Sequence, residues 1–178
     1  MTRDQLEHVI RAAAANADTD QVVIIGSQSL LGSHPGISHP ALTSSMEAGV
    51  FPLPDPSLAI LIDGAIGERS IFHETFGYYA HGVGMETAVL PEGWRERLVP
   101  IKNENTRGNT GWCLDPHDLA VSKLVAGREK DLSFLRGMTE LGLLDPAVVV
   151  LRLRQTSIAP PGQRDVMEAR LLRIFKQP

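Results

Sequence analysis

The sequence predicts an α/β (α+β) protein in two parts: an α/β core over residues 1–114 and a helical part over 115–178, packed as one structural unit. Three observations carry this reading. Gln21-Val22-Val23-Ile24-Ile25, dominated by β-branched residues, is too short for a helix and reads as a buried central strand. Asp115-Pro116, a cap followed by proline at the first helical position, opens a long stretch of helical periodicity. A chain of 178 residues, 43% apolar and 21% charged, is large enough to bury a core without disulfide or metal.

The elements follow in order. Leu6, Val9, Ile10 and Ala13 recur at helical spacing, so residues 4–17 form an amphipathic helix that breaks at Asp18 to Asp20. The strand at 21–25 runs into Gly26-Ser27 and a short helix over 28–31. Residues 32–40, rich in Gly and Pro, form a loop carrying His34 and His39. A second strand over 45–53 ends at prolines, and 56–66 reads as a helix. Short strands are expected at 76–83, 86–90 and 98–102, with a polar turn region over 103–111. A helix dented at Gly127 runs from 115 to about 141, and two more cover 146–154 and 162–176.

Composition narrows the function. Seventeen basic against 21 acidic residues give a net charge of -4, which argues against binding nucleic acid by bulk charge, though a locally basic site remains open. Cys113 is the single cysteine, flanked by Trp112 and Leu114, and reads as buried and inert. Six histidines with one cysteine show no zinc-type spacing. The first residues carry charges of both signs and no apolar run, and no stretch is apolar enough to span a bilayer. The expected compartment is therefore the cytoplasm, with no membrane partner.

Three features carry chemistry. At Gly26-Ser27 the backbone can approach a ligand closely, beside a hydroxyl and the free N–H groups of a helix start, although ordinary strand-to-helix turns look the same. Glu47 lies on the next strand; an acid two residues on would share its face and complete a metal-binding pair, but that position is Gly49. Lys123, Gly127 and Asp131 lie four apart on one helical face, and Arg128 can pair with Asp131. A lysine and an arginine there would hold phosphate as point charge and fork; the alternative is a solvated charged face. His73 and Glu74 read as structural.

In that order, strand-Gly-Ser, strand acid, then Lys with a following Arg-x-x-Asp, the chain resembles the minimal nucleotidyltransferase fold, and specifically AbiEii-like toxins of type IV toxin–antitoxin systems, over roughly residues 20–140. The resemblance implies a small mixed sheet flanked by helices. It implies a nucleoside triphosphate (NTP) held by Gly26, Ser27, Lys123 and Arg128, with Mg²⁺ on Glu47. Asp131 would orient Arg128 or a nucleophile, completing a catalytic set of Glu47, Lys123 and Asp131. An RNA acceptor and an antitoxin partner are implied too. Where the family has acid-x-acid, this chain has Glu47-Ala48-Gly49; Asp55 and Asp63 are candidates to compensate, and Glu86 for a third acid. The implied activity is Mg²⁺-dependent nucleotide transfer. Its alternatives are a weak or inactive protein of the same fold that binds nucleotide or a partner, and an unrelated α/β hydrolase-like or structural protein.

Overall fold

The computed structural model describes residues 1–158, 160 and 162–176. Helix α1 (Arg3–Asn16) starts at a capping box, in which the Thr2 hydroxyl accepts from the Gln5 N–H and the Gln5 side chain accepts from the Thr2 N–H. Its apolar stripe, Leu6, Val9, Ile10 and Ala13, is buried against a five-stranded sheet.

Strands β1 (Gln21–Ile25), β2 (Glu47–Pro52), β3 (Tyr79–Gly82), β4 (Val99–Ile101) and β5 (Thr110–Cys113) lie in the order β3-β2-β1-β5-β4. β1 runs antiparallel to β2 and parallel to β5, β2 runs parallel to β3, and β4 antiparallel to β5. The sheet is therefore mixed, as the family resemblance implied. Successive β1 side chains go to opposite faces. Val22 and Ile24 pack with α1 and α3 (Ala59–Ile66), whereas Val23 and Ile25 pack with the C-terminal helices. Covered on both sides, β1 can be apolar throughout.

Four C-terminal helices cover the second face: α5 (Pro116–Ala126), α6 (Glu129–Glu140), α7 (Pro146–Arg154) and α8 (Gln163–Lys176). Leu119, Leu124, Leu135, Leu153 and Leu171 join Val23, Ile25 and Phe51 in one buried cluster. Asp118, fully buried on α5, accepts two hydrogen bonds from Arg97 at 2.9 and 3.1 Å and so fastens α5 to the turn before β4.

The structure corrects four sequence expectations. Helix 115–141 is two helices, because Gly127 adopts the left-handed conformation (φ +63°) and closes α5 as its C-cap. The strand expected over 76–83 begins only at Tyr79; before it stands α4 (Ile71–Phe76), whose first turn is capped by the Ser70 hydroxyl and whose last is ended by left-handed Gly77. Residues 86–90 form no strand but a 3₁₀ turn, Met85–Thr87, and then chain without regular structure. The end of the polar turn region at 103–111 enters β5, which pairs with β1. A further short helix, α2 (Pro40–Thr43), closes the loop after Gly32. No helix among the described residues is long and apolar enough to cross a membrane.

Candidate active site

β1 delivers the chain to Gly26 at the C-terminal end of the central strand. There φ is +76°, a conformation only glycine adopts without strain, and a Cβ would meet nothing within 4 Å. The backbone thus turns sharply beside open space. A 3₁₀ segment, Ser27–Gly32, follows, pinned by the Ser29 N–H and hydroxyl, which both donate to the Gly26 carbonyl. Buried Gln28 donates to the Ser45 carbonyl at 2.8 Å, tying the turn to the residues that lead into β2.

An open pocket of about 360 Å³ lies at this turn, and Gly26, Ser27, Glu47, Lys123, Arg128 and Asp131 all line it. The six residues predicted for the site therefore meet at one place. Lys123, on α5, donates to the Ser27 hydroxyl at 2.9 Å and to Asp131 Oδ1 at 3.0 Å. Arg128, in the α5–α6 turn, donates through Nε to Asp131 Oδ2 at 2.6 Å and through Nη2 to Oδ1 at 3.3 Å. Asp131 is wholly buried, while Arg128 is 61% exposed. One buried carboxylate thus holds two cations, one at the floor of the pocket and one at its rim.

The electrostatics follow from this geometry. Burial alone would push the Asp131 carboxyl up, but the hydrogen bonds from Arg128 and Lys123 outweigh it and hold it below the usual carboxylate range. Burial draws the Lys123 ammonium down, opposed by its bond to Asp131, and that same carboxylate pushes Arg128 up. Asp131 is therefore ionised and already neutralised, which suits it to positioning the cations and leaves it no free charge for a metal.

A pH dependence follows. Because the Asp131 carboxyl is lowered in the folded state, its stabilisation is complete above its unfolded value near 3.9 and is lost as pH falls through its folded value. Urea denaturation between about pH 6 and about pH 3 is expected to show a shallower loss of stability for Asp131→Asn than for the unaltered chain. Equal slopes would remove Asp131 from the acid response.

The carboxylates are few. Glu47, at the start of β2, is 45% exposed; its Oε2 accepts from the Tyr79 hydroxyl at 3.2 Å, and its Oε1 lies 3.3 Å from His81 Nδ1. Gly49, two residues along and facing the same pocket, brings no carboxylate. The acids considered as replacements are engaged elsewhere. Asp55 caps a 3₁₀ turn through Ser57, and Asp63 accepts from the Gly82 N–H at 3.2 Å. Glu86 sits exposed in its turn with its carboxylate over Gly84, and neither it nor the two aspartates line the pocket. Among the described residues, no three His, Cys, Asp or Glu side chains converge as a metal site.

Other residues have no role in the pocket. His73 lies in α4, accepts from the Arg69 N–H through Nδ1 and packs against the Tyr79 ring at a tilt, a structural part. His39 pairs with Glu140 at 3.2 Å. Cys113 is buried, its thiol pushed up to about 12 by burial. Two pocket residues escaped the sequence reading. Lys130 adds a third cation to the lining, and His81 arrives from β3. Lys130 is an unspecified position of the Arg128-x-x-Asp131 motif, and His81 belongs to no recognisable motif. The only sequence signal for His81 is its place on the strand after the acidic one.

A mixed sheet flanked by helices, with a Gly-Ser turn at the end of its central strand and a buried Lys–Asp–Arg cluster beside it, defines a nucleotidyltransferase-type α+β protein. A family model described as "Nucleotidyltransferase of unknown function (DUF6036)" matches residues 4–157, and the chain belongs to that family. Neither the curated proteins nor the solved structures gave a significant match.

Proposed function

We propose that the chain binds a nucleoside triphosphate in this pocket and transfers its nucleotide to an acceptor. The observation that carries the reading is the meeting of Ser27, Lys123 and Arg128, from three separate segments, around one hollow that also contains Glu47. Lys123 takes a phosphate oxygen as a point charge, Arg128 grips another as a fork, and Gly26 lets the backbone come close. Asp131 fixes both cations before substrate arrives, so no reorganisation is needed as charge moves from the α-phosphate to the leaving pyrophosphate. The acceptor oxygen bonds to the α-phosphorus, the bond to the α–β bridging oxygen breaks, and the acceptor's proton passes to solvent.

The fold family implies magnesium. One exposed carboxylate, with waters and substrate phosphates, meets the oxygen demand of a single divalent ion, but a two-ion pair lacks its second carboxylate. When bound, such an ion would neutralise phosphate charge. Gly49 favours a second reading, in which the pocket binds nucleotide and transfers it weakly or not at all.

An AbiEii-like toxin role, with an RNA acceptor and an antitoxin partner, belongs to the proposal. The basic rim formed by Arg128 and Lys130 suits a polyanionic acceptor, whose binding would then weaken as salt rises. The test is calorimetric titration with ATP, CTP, GTP and UTP, with and without a divalent cation, followed by label transfer to RNA. At least one nucleotide is expected to bind; binding by none would overturn the reading.

A further inference from the structure

We infer that Glu47 and His81 form a two-donor site for one divalent transition cation, with a carboxylate oxygen and an imidazole nitrogen as its protein ligands. The donor geometry of the site stands alone; only the remaining ligands, phosphate oxygens of a nucleotide, rest on the function proposed above.

The sheet register builds the pair. β2 and β3 run parallel, with Glu47 opposite Tyr79 and Gly49 opposite His81. Residues two apart share a face, so the face that turns Glu47 and Gly49 to the pocket also turns His81 there. Opposite His81 the neighbouring strand carries Gly49, and the imidazole lies against the Glu47 carboxylate. The resulting Nδ1–Oε1 separation is 3.3 Å. That is long for a charge-assisted hydrogen bond, which closes to about 2.7–2.9 Å. A weak hydrogen bond of this length also holds the two atoms close to the ~3.0–3.4 Å edge between neighbouring ligands that each sit about 2.0–2.1 Å from a shared metal ion.

The surroundings also favour a ligand role. The two side chains are about half exposed, 51% for His81 and 45% for Glu47, so neither is locked into the core. The Tyr79 hydroxyl donates to Glu47 Oε2 at 3.2 Å, an outer contact that orients the carboxylate and leaves Oε1 toward His81. With no third His, Cys, Asp or Glu converging among the described residues, two protein donors leave the other positions to water and phosphate. Such a site binds its ion weakly alone and more tightly with nucleotide, and by linkage the ion strengthens nucleotide binding equally.

The donor types set the preference. Mg²⁺ takes oxygen ligands almost exclusively, whereas imidazole suits first-row transition ions, whose affinity for a mixed site rises from Mn²⁺ through Co²⁺ and Ni²⁺ to Cu²⁺ and falls again at Zn²⁺. One carboxylate with glycine two residues on, beside a histidine from the next strand, thus suits magnesium poorly.

The experiment titrates the full chain with Co²⁺, followed by visible absorption, and with Mg²⁺, followed by calorimetry, each with and without a non-hydrolysable ATP analogue. Co²⁺ is expected to bind at least about 10-fold tighter than Mg²⁺, and His81→Ala to lose about 10- to 100-fold in Co²⁺ affinity with Mg²⁺ unchanged. His81→Asp is expected to shift preference back toward Mg²⁺. Circular dichroism establishes that the variants are folded. Unchanged Co²⁺ binding in His81→Ala, or tighter binding of Mg²⁺ by the unaltered chain, overturns the inference. Titration of the analogue without metal separates the two proposals: nucleotide binding without His81-dependent Co²⁺ binding sinks the metal site alone, and the reverse sinks the nucleotide reading alone.

Discussion

Lys123→Met is expected to weaken nucleotide binding by roughly 10- to 150-fold, the loss of one charged hydrogen bond worth about 1.5–3 kcal/mol. Methionine keeps an unbranched apolar stem for the contact with Phe134, over whose ring the Lys123 ammonium sits at 5.0 Å, so packing changes little. Asp131 also keeps its fork with Arg128, so the buried carboxylate is not stranded. The variant should therefore remain folded while losing ligand, which calorimetry and urea denaturation check together. Asp131→Ala is the contrasting case. It leaves the Lys123 ammonium, 12% exposed, with the Ser27 hydroxyl as its one remaining hydrogen-bond partner among the described residues, and is expected to cost about 3–5 kcal/mol of stability. If Lys123→Met binds nucleotide as the unaltered chain does, the floor of the pocket is not a phosphate site. If instead it unfolds, Lys123 is a structural ion-pair partner.

The meeting of Lys123 with Asp131 was legible in the sequence, but for an incomplete reason. Eight residues along one straight helix span about 12 Å of axis, too far for a 3.0 Å contact. The contact exists because Gly127 breaks the helix and α6 folds back against α5, so the dent carries the site. β5 was invisible for a different reason. Thr110-Gly111-Trp112-Cys113 has no apolar alternation, and Gly111 lowers its strand signal. Gly111 is needed because α1 crosses there so closely that a Cβ would lie 2.3 Å from Ile10 Cδ1, a tertiary demand that local pattern cannot register. Likewise, the aromatic run through Phe76-Gly77-Tyr78-Tyr79 reads as strand, whereas the Ser70 cap and left-handed Gly77 make its first part the end of a helix. His81 depends on the parallel pairing of β2 with β3, which no single stretch encodes.

The acid-x-acid pattern of the nucleotidyltransferases that the sequence resembles underlies the second large expectation. Gly49→Asp is expected to raise nucleotide transfer by roughly 10- to 100-fold, the scale of restoring one metal-binding group. Positions 47 and 49 of β2 turn to the same pocket, so the new carboxylate would stand beside Glu47 on the phosphate side. Space is limited. A Cβ would come to 3.2 Å from Ile25 Cγ1 and 3.4 Å from the Ile25 carbonyl, so the Ile25 side chain must yield by a few tenths of an ångström. That costs about 1 kcal/mol, within what the fold tolerates. Two neighbouring carboxylates repel when empty, so the variant should also gain more stability from a divalent cation than the unaltered chain does. Transfer of labelled nucleotide to RNA, with thermal melts at rising cation concentration, measures both effects. Robust transfer by the unaltered chain would show that one carboxylate suffices and remove the weak-transfer reading. A folded, nucleotide-binding Gly49→Asp variant with no gain would show that the missing carboxylate is not what limits the chemistry.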